Sequence, residues 1–238
     1  MNDSKPCMKI TLTDTKLSIF ESKVGGLGYI PHDKDFPTDS NGNQLRLLAQ
    51  IECNKIQLDG FMKTGLLQFW IANDDDCGLS GEWGTTNQDG FRVIYYPEID
   101  KTVTKDEIES KFVKNEYDDN DEYDNFPVFR ECGMSFEKSK NRYISYEEID
   151  EDEEIFEEYS GHKVGGYPYF TQSDPRVQDR KMLEYYDFLL FQLDTDYIDG
   201  EYTDIVMWGD SGVGNFFINS EKLKNQDFSN VLYNWDCC

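Results

Sequence analysis

A short run near the start of this chain reappears, in order and in spacing, well past its middle. Ser22-Lys23-Val24-Gly25-Gly26-Leu27-Gly28-Tyr29 is echoed by His162-Lys163-Val164-Gly165-Gly166-Tyr167-Pro168-Tyr169. A second echo follows each glycine pair, Leu47-Leu48-Ala49-Gln50-Ile51-Glu52 against Leu189-Leu190-Phe191-Gln192-Leu193-Asp194. A third is looser, Gly65-Leu66-Leu67-Gln68-Phe69-Trp70-Ile71 against Gly214-Asn215-Phe216-Phe217-Ile218. Matches in one order, at offsets of about 140 to 150 residues, mark an internal duplication. Two copies pack most simply about a pseudo-two-fold axis with a shared core. The expected organisation is one domain over 1–238, with copies at about 8–100 and 161–230 and an acidic elaboration at about 101–160.

The repeated segments are of strand length, bounded by Gly, Asn and Asp, and the fold class is mainly β, a β-rich α+β roll with few short helices. Strands are expected at Met8 to Leu12, Leu45 to Ile51, Gly65 to Ile71 and Phe91 to Tyr96, then at Phe188 to Leu193, Thr203 to Trp208 and Asn215 to Ile218. Thr104-x-x-Glu107 and Ser145-x-x-Glu148 have capping-box spacing, Asp174-Pro175 is an N-cap followed by proline, and Ser220 to Lys224 suits a short helix.

Charge narrows the partners. The formal net charge is −25, and residues 98–158 hold 22 acidic against 8 basic side chains. Such a field repels nucleic-acid phosphates and anionic membranes, and it suits either a solvated surface or a docking face for a basic protein. The sequence has no apolar run of membrane-helix length and no signal-peptide pattern at its N-terminus, so a cytoplasmic location is expected. Its six cysteines form no C-x-x-C pair, and no cofactor or metal is assigned. Asp74 to Asp76, Asp118 to Asp124 and Asp194-x-Asp196-x-x-Asp199 are oxygen-rich, yet none fits the calcium loop of an EF-hand.

The elements K-V-G-G, L-L-x-Q-[IL]-[ED] and G-x-L-Q-F, then Trp208-Gly209-Asp210-Ser211-Gly212 followed by Phe216-Phe217-Ile218, resemble the YwqG-like family of bacterial proteins from Ser22 to about Phe228. The resemblance implies a mainly-β, roll-like duplication with no established activity. Some relatives lie beside bacterial toxin systems, which implies an immunity or accessory role.

Candidate site residues follow from the duplication. The pairs Gly25-Gly26 and Gly165-Gly166 permit positive φ, as a tight turn or as a turn lining a ligand cleft. Gln50 and Gln192 interrupt apolar runs, and a buried carboxamide must find partners; the glycine turn is one source of them. A cleft between the repeats would draw on these residues with Lys23, Gln68, His162, Gln172, Trp208, Gly209, Asp210 and Gly212. Gly209-Asp210-Ser211-Gly212 resembles a serine-protease motif but continues with Val213, so a turn whose Asp210 carboxylate accepts backbone N–H bonds is the expectation. The preferred function is a non-enzymatic binding protein for a basic partner, and the alternative is a hydrolase-type enzyme using His162, Asp210 and Asp194. The oligomeric state is not legible.

Overall fold

The computed structural model describes residues 4–79, 83–114, 126–143, 159–198, 201–203 and 205–237. In chain order the strands are β1 Ser4–Thr13, β2 Lys23–Val24, β3 Arg46–Glu52, β4 Leu66–Ile71 and β5 Phe91–Tyr96. They continue with β6 Cys132–Arg142, β7 His162–Gly165, β8 Phe188–Asp194, β9 Tyr197–Ile198, β10 Glu201–Tyr202, β11 Val213–Ile218 and β12 Val231–Asp236. Among the described residues the α-helices are α1 Lys105–Lys111, α2 Arg180–Tyr185 and α3 Ser220–Lys224. None is long and apolar enough to cross a membrane.

Ten strands form one antiparallel, nearly closed, barrel-like sheet, in the order β12-β11-β8-β7-β1-β6-β2-β3-β4-β5. Read outward from its middle, the sheet gives β1-β7-β8-β11-β12 one way and β6-β2-β3-β4-β5 the other. Each half is the image of its partner with the first strands exchanged, because β1 pairs with β7 of the second copy and β6 with β2 of the first. Lys163 lies opposite Lys9 and Lys23 opposite Gly133, so Gly133 is the counterpart of Lys9. Carried along β1 and β6, that equivalence makes the facing pair Thr11 and Ser135 each other's counterparts, and the pseudo-two-fold axis passes between them. The second copy therefore reaches back to Cys132, inside the acidic stretch.

Alternation places Leu67, Phe69 and Ile71 of β4 in the main core. Phe191, Leu193, Phe216 and Ile218 join them from the second copy. Phe69 and Phe216 are counterparts and touch across the axis, with ring centroids 4.9 Å apart, and Phe191 stacks on Phe69 at 4.7 Å. Neither copy can bury its inner face without the other.

The β4–β5 connection closes the seam. Thr85 bridges Tyr233 of β12, the Tyr233 hydroxyl donates to Cys77 O at 2.8 Å, and Trp235 Nε1 donates to Asp76 O at 2.7 Å.

The other face of each half-sheet is covered by the chain that follows its glycine turn. In the first copy Tyr29, Phe36, Trp70, Val103 and Ile108 form an outer layer. In the second, Phe170, Tyr186, Leu189, Phe217 and Leu232 form a smaller one.

Helix α1 starts where the capping box places it, with Thr104 accepting from Glu107 N, and Ser220 to Lys224 is helical. Asp174-Pro175 opens a 3₁₀ turn, Pro175–Gln178, rather than an α-helix. The Ser145 box lies outside the described residues. The strand expected over Thr203 to Trp208 is not formed at its described residues: Ile205, Val206 and Trp208 are buried, but they make only isolated bridges, Val206 to Val128 and Trp208 to Gly212.

Candidate functional site

Each glycine pair has left-handed backbone, φ 60° and 65° at Gly25 and Gly26, 75° and 76° at Gly165 and Gly166. The turn throws the chain back across its own sheet. A buried carboxamide then pins it there. Gln50 Oε1 accepts the Tyr29 N–H at 2.9 Å, while Gln50 Nε2 donates to Ile19 O and Glu21 O at 3.0 and 2.9 Å. Gln192 repeats this: Oε1 accepts the Tyr169 N–H at 2.8 Å, and Nε2 donates to Tyr159 O and Gly161 O at 3.2 and 2.7 Å. Beside them, Gln68 Nε2 donates to Tyr29 O at 2.7 Å and Asn215 Nδ2 to Tyr169 O at 2.9 Å. The looser echo thus resolves in register, Gln68-Phe69 matching Asn215-Phe216. In strand order Lys23, Gln50 and Gln68 form one buried polar row, and Lys163, Gln192 and Asn215 the other.

His162 and Ser22 also share a task. Ser22 Oγ accepts the Glu52 N–H at 2.9 Å, and His162 Nδ1 accepts the Asp194 N–H at 3.1 Å. That bond leaves the ring proton on Nε2, which donates to Asp196 Oδ1 at 3.0 Å. Half-burial raises the Asp196 pKa, but hydrogen bonds from His162 and Thr203 outweigh it and hold the carboxyl below its ordinary range. Full burial pushes Asp194 up to about 6 against the N–H bonds from Gly161 and Thr195 and the positive charge of Lys163.

Trp208 is buried, stacks on Trp235 at 5.9 Å and donates its backbone N–H to Thr195 Oγ1. The turn Trp208 to Gly212 is closed by Gly212 N donating to Trp208 O at 2.7 Å, with Gly209 at φ 51°. Asp210 is exposed, and among the described residues no hydrogen bond reaches its carboxylate. The backbone, not Asp210, therefore closes this turn, because the side chain faces solvent. Gln172 lies with Trp235 and Cys237 in a small cleft at the seam, facing Asp76, Leu79 and the exposed Trp83.

Above each pinned loop lies a cavity, and the two occupy equivalent places. Ile19, Gly26 and Leu27 line the first, of about 480 Å³, and their counterparts Tyr159, Gly166 and Tyr167 line the second, of about 540 Å³. The walls have diverged. The first adds Lys23, Glu131, Lys105 and Glu109, while the second adds Tyr143, Tyr169, Phe170, Val177 and Leu183 over the buried Arg176. Arg176 is held by Asp174, by Tyr186 O at 2.8 Å and by the face of Phe217 at 3.9 Å. Of the residues singled out from sequence, Lys23, Gly26 and Gly166 line these cavities. Gln50, Gln68, Gln192, Gly25, Gly165, His162, Asp194 and Asp210 line neither. Glu131 gains its role from Lys23, 108 residues away, and Arg176, although paired with its sequence neighbour Asp174, gains its place from burial against Phe217; neither is marked by a local pattern.

A family model described as a domain of unknown function (DUF1963) matches residues 22–237. No curated protein matches the chain.

Two outcomes follow from this geometry. Gln50→Leu and Gln192→Leu each strand a buried N–H and two carbonyls, so each should destabilise the fold by about 1–3 kcal/mol. In a melting experiment that is a fall of roughly 3–10 °C; no change in either variant would contradict the pinning role. Asp194, its folded pKa raised above the unfolded value, binds a proton in the folded state that the unfolded chain has already released. Its contribution to stability is therefore undiminished below the unfolded carboxylate pKa and declines as pH rises towards 6. Its side-chain ¹³C resonance, assigned by comparison with Asp194→Asn, should titrate near pH 6. A midpoint near the ordinary value of about 4 would contradict it.

Proposed function

The chain belongs to the DUF1963 family, and from its geometry we propose that it is a non-enzymatic binding protein that docks a basic protein partner at the pocket over the second glycine turn. The observation that carries this is the difference between two equivalent places. The first copy's cavity is walled by two lysine–glutamate pairs, Lys23 with Glu131 and Lys105 with Glu109, whereas the second's, of about 540 Å³, is walled largely by Tyr143, Tyr169, Phe170, Val177 and Leu183. That pocket keeps Tyr143 at 70%, Val177 at 61% and Leu183 at 42% exposure on its rim. Apolar side chains around a concave site are the usual means of receiving a partner's anchor residue. The net charge of −25 favours a basic protein and speeds encounter with it.

Fixed groups dominate the second loop. Arg176 and Asp174 neutralise each other, and both Asp187 oxygens are held by Ser220. The docked element is then an apolar side chain, with the partner's cations outside the pocket. The resemblance to YwqG-like proteins, some of whose relatives lie beside bacterial toxin systems, makes a basic toxin-like protein in the cytoplasm our candidate.

The test is retention of proteins from the source cell on the immobilised chain. A basic protein should be held at low salt and released as the Debye length shrinks to roughly 3–5 Å. Val177→Asp and Leu183→Asp should abolish retention, with melting temperatures within about 2 °C of wild type because both side chains are exposed. Retention of nothing, or retention indifferent to both substitutions, would overturn the proposal.

A further inference from the structure

Charged residues line both cavities, but only the first has on its floor a buried lysine that meets a carboxylate from a distant part of the chain. On its floor Lys23 is 1% exposed, with Nζ donating to Glu131 Oε1 at 2.7 Å and to Leu27 O at 3.2 Å. An ammonium has three N–H donors, and the third meets no acceptor among the described residues. A buried donor left unmet is costly, and this one belongs to a side chain that lines an open space of about 480 Å³. Glu131 has its seat because Gly26 has no side chain: a Cβ there would collide with the Glu131 carboxylate.

Neither feature is part of the shared scaffold. In the second copy Lys163 is not among the cavity-lining residues and donates to Tyr159 O. Strand register makes Cys132 the counterpart of Met8, so the place of Glu131 is taken by Cys7, which carries no carboxylate.

The rim repeats the floor's pairing. Lys105 and Glu109 of α1 lie 3.3 Å apart at the mouth, and Phe20, Leu27 and Val103 supply apolar wall. The cavity therefore presents two cations and two carboxylates around an apolar surface. A ligand with one charge meets its like as well as its opposite. A ligand carrying both charges on groups that share one carbon, with an apolar remainder, meets every group with its complement.

We propose that this cavity binds a free α-amino acid with an apolar side chain. Its carboxylate accepts the spare Lys23 N–H, its ammonium faces Glu131, and its side chain lies along Phe20, Leu27 and Val103. The site shares no residue with the partner pocket, so the two proposals stand or fall separately.

Isothermal titration of the exhaustively dialysed, full-length protein with L-leucine, L-methionine and L-phenylalanine tests it. At least one should bind at one site per chain, with a Kd on the order of 10⁻⁶ to 10⁻³ M. N-acetyl-L-leucine and L-leucinamide, which each lack one charge, should bind at least about tenfold more weakly than leucine. The exposed substitution Lys105→Glu should weaken binding severalfold, and Leu27→Trp, which fills the cavity from its half-buried wall, should abolish it. Both variants should keep the wild-type circular dichroism. Absence of heat with all three amino acids, equal binding of the single-charge analogues, or undiminished binding by folded Leu27→Trp would each overturn the assignment.

Discussion

A carboxamide buried against the back of a strand cannot be left without partners, and that requirement organises this molecule twice. Gln50 and Gln192 each meet it by gripping the chain on both sides of a glycine turn, one amide N–H after it and two carbonyls before it. The turn needs glycine because its backbone is left-handed and another side chain lies against it: Asn141 Oδ1 sits 2.6 Å from where a Cβ on Gly166 would be. The loop is fixed over the outer face of the half-sheet, and whatever space remains above it becomes a cavity.

The duplication gives this arrangement its rigidity. Exchange of β1 and β6 between the copies means that each half-sheet includes a strand from its partner, and Phe69 meets its own counterpart Phe216 in the interior. The seam is tied by Tyr233 and Trp235 to the β4–β5 connection. A scaffold so constrained leaves divergence to the walls. One copy pairs its repeated lysine, Lys23, with Glu131, and the other has a tyrosine-lined pocket over Arg176. The same logic assigns His162: it satisfies the amide that Ser22 satisfies in the first copy, and its second nitrogen is engaged by Asp196.

Much of the scaffold was legible because it is written in short-range pattern. Phe91 to Tyr96 alternates and is a strand over those residues, and Thr104 caps α1 through the spacing to Glu107. β6 was missed because the chain from Cys132 to Arg142 is polar over much of its length and half in solvent, its identity fixed by pairing with β1 far away in sequence. β2 offers no period, since a strand of two residues is held by its neighbours. Thr203 to Trp208 misled for the opposite reason: its apolar residues are buried by tertiary contacts without a ladder. The polar rows showed themselves as glutamines within apolar runs. Glu131 and Asn215 draw their roles from pairings between distant strands, which no local pattern records.

Each carboxamide pins its own loop independently of the other, and amide hydrogen exchange measures this most directly. In the wild type the N–H groups of Tyr29 and Tyr169 should exchange about as slowly as the strand amides around them, although both residues lie outside the strands. Removing the Gln50 carboxamide should accelerate Tyr29 and leave Tyr169 protected. Exchange of both at the rate of an open loop in the wild type, or an equal response of the two to a change at Gln50, would contradict the account.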